Sequence, residues 1–501
     1  MTESTRRKRD RIGSIATKRE DCESFYHLSG ATLTGGVCGG LACFVARSVN
    51  PDRWLAAEAQ KPRIYCLGKC FAGPAACDVD PRPRVQVRSR EAIVLAHIVA
   101  GGARSLDGYL RQQGYRALEG ALGQSPADVV EAMESSGLRG RGGAGYPTGK
   151  KWRATLNHPS SEKHIVANGD EGDPGAFSDR VLMEDDPHAI LEGMAIAAYA
   201  VGANKGWIYI RGEYPQAAAA MKQAATEARL AGFLGDRILG GAFAFDVQIV
   251  VGRGSYVCGE ETSLLNSIEG KRPVALARPP YAAESGLFGK PTVVNNIETF
   301  ANVPWIVLRG AQAYRQFGIS RSQGTKLVSL NSLFRRPGLY EVEFGTSVRQ
   351  IVEDLGGGLE TGALKGVMIG GPLAGVIPPH LLDTPFGFEE LAAIHASVGH
   401  GGVIGFDQHT SIAQLVHHVF SFGAYESCGQ CVPCRLGSRR VEKILEQVIS
   451  AGKAPKSKRA EFEEIVELLG RASLCGLGSG LAEFARTILL YYQEELDQCF
   501  A

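Results

Sequence analysis

The spacing of apolar residues along the chain changes character three times. Between about residues 126 and 322 short apolar runs alternate with long helical patterns. "KHIVANG" (Lys163–Gly169) and "KGWIYIRG" (Lys205–Gly212) read as strands. "DPHAILEGMAIAAYAVGA" and "QAAAAMKQAATEARLAG" are rich in Ala, with apolar residues three and four apart, and predict helices. "AFDVQIVVGRGSYVCGEETSLLNSIEG" reads as strand, Gly-containing turn and helix. Strands alternating with helices imply an α/β sheet covered by helices. From Thr325, "TKLVSLNS", "GLYEVEFG", "VRQIVEDLGG" and "LKGVMIGG" predict strand, strand, helix, strand, the order of a compact ubiquitin-like β-grasp. After Asp407 four amphipathic stretches, from "SIAQLVHHVFSFGAYES" to "GLAEFARTILLYYQEEL", predict a helical bundle.

The beginning of the chain is read mainly from its cysteines. "PRPRVQV" (Pro81–Val87) marks a boundary followed by a short strand, and "REAIVLAHIVAGG" (Arg90–Gly102) predicts a helix. The expected division is 1–88, a linker with helices over 89–125, 126–322, 323–400 and 401–501.

Composition narrows the function. The 501 residues carry 54 basic and 53 acidic side chains. That balance argues against nucleic acid as a partner, which calls for a basic excess. Gly makes up 63 positions, about 13% against a usual ~7%, so much backbone turns tightly or lies close to something. The longest apolar stretch, Ala189–Ala203, is short and holds Glu192, so no membrane segment is expected. "MTESTRRKRDRIGS" lacks the apolar core of a secretory signal and reads as a solvated tail. A cytoplasmic location follows, in which the twelve cysteines serve as metal ligands or free thiols rather than disulfides.

Three motif groups carry chemistry. In "ESCGQCVPCRLG", Cys428, Cys431 and Cys434 stand three apart. Cys475 in "SLCGLGSG" is the expected fourth ligand, with Cys499 the other late candidate. A tight triad with one remote cysteine suits a [4Fe–4S] cube. A structural zinc site with four cysteines is the competing reading. Near the start, "VCGGLAC" and "YCLGKC" supply Cys38 with Cys43 and Cys66 with Cys70. Two pairs suit a [2Fe–2S] rhomb, with zinc again the rival. Cys22 and Cys77 read as bystanders.

The third group is a set of loops. "LRGRGGAGYPTGKKW" (Leu138–Trp152) brings Gly140, Gly142, Gly143 and Gly145 to an anion with Lys150 and Lys151 beside them. "ANGDEGDPGAFSDR" ends a strand in an Asn and the carboxylates Asp170, Glu171 and Asp173, well placed for ribose hydroxyls. "GRGSYVCGEETSLLNSIEG" opens a helix with Glu260 and Glu261, and "GKPTVVNNIET" offers Asn295 and Asn296 to a ring or ribityl chain. Each loop taken alone is also compatible with an ordinary turn or helix cap.

In this order and spacing, from about Leu138 through Cys475, these segments resemble the flavoprotein family of the NADH-oxidising subunit of respiratory complex I. That family includes the diaphorase subunits of NAD-reducing hydrogenases and of NAD-dependent formate dehydrogenases. The resemblance implies a multidomain α/β fold: an FMN- and NAD(H)-binding α/β domain, a β-grasp, and a helical bundle with one [4Fe–4S] cluster. By motif position it implicates Gly140, Arg141, Gly142, Gly143, Lys151, Asn168, Asp170, Glu171, Asp173, Tyr256, Gly259, Glu260, Glu261, Asn295 and Asn296 in the cofactor site. Tyr146 and Tyr281 are the aromatics available to sandwich adenine. Cys428, Cys431, Cys434 and Cys475 carry over as cluster ligands. Three positions depart from the family pattern: Asp173 stands where Glu is common, Ala154 where an aromatic is expected, and Gly476 where Pro is usual. Residues 1–88 resemble the thioredoxin-like [2Fe–2S] protein that accompanies such flavoproteins.

The layout is most similar to the β subunit of a cytoplasmic formate dehydrogenase. That implies a molybdopterin/Fe–S catalytic subunit and a small [2Fe–2S] subunit as partners. No side chain is expected as acid or base, because hydride passes directly between rings. Glu171, Asp173 and Glu261 are expected to position. The alternatives are a hydrogenase diaphorase, a complex I subunit or, more remotely, a zinc protein without flavin.

Overall fold

The computed structural model describes residues 26–28, 35–58 and 60–500. Cys22 and the basic tail lie outside them. Among the described residues the strands in chain order are β1 (Val37–Cys38), β2 (Arg63–Ile64), β3 (Val85–Val87), β4 (His164–Gly169), β5 (Lys205–Ile210), β6 (Asp246–Val251), β7 (Thr292–Asn296), β8 (Gly318–Ile319), β9 (Ser322–Gln323), β10 (Thr325–Leu330), β11 (Gly338–Glu343), β12 (Leu364–Ile369) and β13 (Gly402–Asp407).

The fold is mixed α/β. β4 to β7 form an all-parallel sheet in the order β6-β5-β4-β7. Its inner strands are continuous apolar runs, as expected where helices cover both faces. The helix Pro187–Val201 is buried almost throughout, which explains a 15-residue run too short for a membrane. Its one acid, Glu192, is also buried. It accepts hydrogen bonds from Tyr109 Oη (2.5 Å), Tyr115 N–H (3.0 Å) and Leu118 N–H (2.9 Å), tying the segment 106–122 to this helix. On the same helix a Cβ at Gly193 would lie 2.1 Å from the Phe300 carbonyl oxygen. Gly193→Val is therefore expected to lower the thermal midpoint by about 5 °C or more through overpacking, read by scanning calorimetry.

The second sheet has the order β12-β13-β10-β11-β3. Its strands over 325–369 and the single helical turn Gln350–Leu355 follow the predicted sequence of elements. Two strands come from outside that span. β3 pairs with β11 in parallel, and β13 runs between β10 and β12. The predicted helix over 90–102 is corrected: only Ala96–Ala100 is helical. The backbone N–H groups of Ile93, Val94 and Leu95 instead donate to the buried carboxylate of Glu341, at 2.9–3.0 Å.

The C-terminal region is helical: Ile412–Glu426, Ser438–Ala451, Lys456–Ala472 and Gly476–Tyr491. The first of these also meets the N-terminal cysteine region, where His418 stacks on Phe44 at 4.2 Å. Among the described residues no helix is long and apolar enough to cross a membrane.

Candidate functional site

In the parallel sheet the chain runs β4, β5, β6 in one direction and returns to place β7 on the other side of β4. The carboxyl ends of β4 and β7 thus flank a topological switch point, where open α/β sheets leave a ligand crevice. A cleft of about 640 Å³ opens there. Asn168 is the last residue but one of β4, Asn295 and Asn296 close β7, and all three line it. The first Gly-rich loop forms another wall. It folds back on itself, with Gly140 N–H donating to Tyr146 O at 2.9 Å, and leads into the helix Thr148–Asn157. Gly142 touches the site so closely that a Cβ there would lie 2.9 Å from Asn296 Cβ.

Lys151 enters the cleft from that helix. Its ammonium donates to Val294 O at 2.9 Å and lies 3.8 Å from Glu261, and burial draws its pKa down against the pull of that carboxylate. Glu260 caps the helix Glu261–Ile268 by accepting from Thr262 and Ser263 N–H, both at 3.0 Å. Arg278 pairs with both Glu260 and Glu261. An inner extension of about 200 Å³ shares Gly142, Asn168, Gly259 and Asn296 with the cleft and adds Asp170, Asp173, Tyr256 and His400. Tyr256 Oη donates to Asp173 at 2.6 Å. Burial raises the pKa of Asp170 well above the usual carboxylate range, and its buried Oδ2 has no hydrogen-bond partner.

Several expected residues stand elsewhere. The Arg141 guanidinium turns into the core, donating to Tyr314 Oη (2.8 Å) and Gln323 O (2.7 Å). Glu171 is fully buried beneath the loop and caps the helix Ser178–Asp185, accepting from Ser178 Oγ, Asp179 N–H and Arg180 N–H at 3.0–3.1 Å. Gly143 pairs with Gly399 and Tyr281 is exposed at the start of a short helix; neither is among the residues lining the cleft. Tyr146 is half exposed at the cleft, 5.9 Å from the Lys151 ammonium. Arg278 and His400 line the cavities without having been singled out. A lone Arg before two prolines and a lone His among glycines give no periodic or spacing signal.

The late cysteines converge. Cys428 and Cys434 are buried and Cys431 and Cys475 half buried. Burial, reinforced by the neighbouring thiols Cys431, Cys475 and Cys428, pushes Cys434 up to about 12; Cys475 rises likewise to about 11. Cys499 stays apart, its thiol against Glu495 O at 3.5 Å. Cys475 also lines both cavities. In the N-terminal region Cys38, Cys43, Cys66 and Cys70 are all buried. Cys38 and Cys66 sulfurs lie 3.8 Å apart and those of Cys66 and Cys70 3.7 Å. Cys77 is half buried outside this cluster.

Residues 133–305 match the family described as the Nuo51 FMN-binding domain, and 414–499 the NADH-ubiquinone oxidoreductase-F iron-sulfur binding region. An NADH-quinone oxidoreductase subunit of Rhizobium meliloti is 42% identical over 81% of this chain and 96% of its own. The chain belongs to the NADH-oxidising flavoprotein family of NADH-quinone oxidoreductase. The loop and cysteine motifs had pointed to this family, and its two matched regions cover the cleft loops and the late cysteines. Also similar to this chain is the NADP-reducing hydrogenase subunit HndC of Solidesulfovibrio fructosivorans, 43% identical over 75% of this chain and 76% of its own. A chain in the crystal structure of an NAD+-reducing [NiFe]-hydrogenase in the H2-reduced state superposes with a TM-score of 0.80 at 29% identity, over 98% of this chain and 87% of the other.

An FMN-binding domain calls for backbone that can approach a phosphate, a cation beside it and polar groups for a ring. The Gly140–Gly142 wall, Lys151, the Asn pair and the unpartnered Asp170 oxygen supply these. The four late cysteines are the donor set that an iron–sulfur cluster takes. The residues present fit both groups.

Proposed function

We propose that this chain is the diaphorase subunit of a multi-subunit redox complex, passing electrons between NAD(H) and iron–sulfur clusters by way of FMN. One observation carries the reading: Cys475 lines the same cleft as both Gly-rich loops and the Asn pair. A cluster ligand and the flavin-binding wall therefore share one cavity.

The residues divide the work. Gly140, Gly142 and Lys151 receive phosphate, with amide N–H groups and one ammonium. Asn168, Asp170, Asn295 and Asn296 hold the ring and its polyol. Tyr146 offers a face for adenine at the mouth. Asp173, Glu260 and Glu261 orient the dinucleotide, with Arg278 holding the two glutamates in place. Glu171 positions at one remove, by fixing the helix that carries Asp179. FMN, when bound, supplies the conversion between hydride transfer and single-electron steps. Cys428, Cys431, Cys434 and Cys475 hold a [4Fe–4S] cluster, and Cys38, Cys43, Cys66 and Cys70 a [2Fe–2S] cluster.

In domain terms we read a thioredoxin-like unit over 1–88, the FMN/NAD(H) unit over 126–322, a β-grasp from 323 and the cluster-bearing helices after 401, in a cytoplasmic protein. The formate dehydrogenase β subunit is the finer assignment, and it rests on this layout. A hydrogenase diaphorase is the second reading, favoured by the 98% coverage of this chain in the alignment with the [NiFe]-hydrogenase chain.

Metal and flavin analysis of the purified chain tests the proposal. One FMN with about six irons per chain is the expected result, and about four irons would remove the N-terminal cluster alone. Zinc without flavin absorbance would overturn the reading. Co-purification with a molybdopterin protein or with a nickel–iron protein decides between the two partners.

A further inference from the structure

His400 has no place in the proposed function, yet it stands where three carboxylates converge. It follows Gly399 and precedes Gly401, both in the left-handed region at φ +49° and +86°. That tight turn leads into β13 and presents the imidazole to the inner extension of the cleft, beside Asp170, Asp173, Tyr256 and Asn296. The ring is held closely. Its Nε2 lies 2.8 Å from Asp179 Oδ2 and 3.6 Å from Glu171 Oε1, and its Nδ1 lies 4.0 Å from Asp173 Oδ2. Its backbone carbonyl accepts from the Lys326 ammonium at 3.2 Å, and Lys326 is itself paired with the buried Glu298.

A metal ion is a poor occupant of this cluster. Both oxygens of Glu171 already accept from Ser178, Asp179 and Arg180, and Asp179 Oδ2 accepts from Asn296 Nδ2 at 2.6 Å, which leaves only Asp179 Oδ1 of these four oxygens without a hydrogen-bond partner. The cation belonging to these carboxylates is the imidazole itself. Ionised carboxylates removed from water need a partner charge nearby.

We propose that His400 is a positioning residue of the flavin site, a built-in cation that keeps Asp173 and Asp179 in place and shifts FMN toward its reduced form relative to a neutral residue at the same position. The inference rests on the flavin reading above. A positive charge beside a ring that gains electron density stabilises the reduced form and raises the potential.

The protonation of His400 depends on every group facing it. Asp179 approaches from the helix Ser178–Asp185, Glu171 and Asp173 from the acidic loop and the Asn296 amide from β7. Lys326 lies on its carbonyl side with Glu298, and Asp170 and Tyr256 share its cavity. Arg211 reaches the loop through a 2.5 Å hydrogen bond to Glu171 O. Burial disfavours the charged imidazole, but Asp179, Glu171 and Asp173 outweigh it and push its pKa up to about 9. Because the pKa is raised, the charge is present at neutral pH and is lost as pH climbs through about 9.

The experiment is a spectroelectrochemical titration of the flavin in the full chain, from about pH 6 to about pH 10, on wild type, His400→Gln and His400→Lys. Deflavinated protein is titrated with FMN in parallel. At pH 7, His400→Gln should lose about tenfold in preference for reduced over oxidised FMN, a fall of about 30 mV for a two-electron couple. The gap should close above about pH 9, and His400→Lys should restore the wild-type value near neutrality. A gap constant across the pH range, or none, overturns the inference, because a purely structural role would not follow the imidazole's titration. If neither variant folds, the wild-type curve decides: a break near pH 9 supports the inference and a smooth line overturns it. Failure of the wild-type chain to bind FMN would instead overturn the functional reading itself.

Discussion

Cys475→Ala should yield a folded chain that has lost about four irons and the low-temperature EPR signal of a reduced cube. Because Cys475 opens the helix Gly476–Tyr491 and lines the cleft, the damage should stop at the cluster. FMN should still bind, since the glycine walls, Lys151 and the Asn pair are untouched. Electron transfer from NADH to an acceptor that draws on the cluster should fall by at least about a hundredfold, while hydride transfer to the flavin persists. Cys499→Ala is the control. Its thiol lies against Glu495 O, away from the other late cysteines, and the iron content should not change. If Cys499→Ala strips the iron and Cys475→Ala does not, the ligand assignment is wrong.

The second large effect is expected at a residue that lines neither cavity of the site. Glu341→Ala should destabilise the fold by on the order of 5 kcal/mol, because three buried N–H groups and the Thr325 hydroxyl would lose their acceptor together. Glu341→Gln keeps one amide oxygen as acceptor and should cost about 1–2 kcal/mol. Thermal melts give the order of the three proteins, and limited proteolysis should find the segment 89–95 newly cleavable in the alanine variant. An alanine variant as stable as wild type would mean that the segment satisfies its amides by another route.

That same carboxylate shows where sequence reasoning fails. The stretch 90–102 has genuine helical spacing, but local spacing competes with acceptors that come from 246–248 residues away. The parallel strands were legible because a strand covered on both faces is an uninterrupted apolar run. Helix Pro187–Val201 was legible too, although its Glu192 looked like an interruption rather than an anchor for Tyr109 and Tyr115. That Gly140, Gly142, Gly259, Lys151, Asn168, Asn295 and Asn296 line one cleft was legible, since these types announce where backbone approaches a ligand, but Gly143 was not, because it pairs with Gly399 instead. Side-chain direction was not. Arg141 and Glu171 lie in the expected motifs but point into the core and to a helix terminus. His400 and Arg278 belong to no run, repeat or spacing, and only the tertiary fold brings them to the cavity.

The cleft draws one wall from Gly140, early in the described residues, and another from Cys475, Gly476 and Ser479, close to their end. A ribosome must therefore make the chain through residue 479 before the cleft has all of its walls. A chain truncated before residue 475 would leave the ribosome without the wall that Cys475, Gly476 and Ser479 supply.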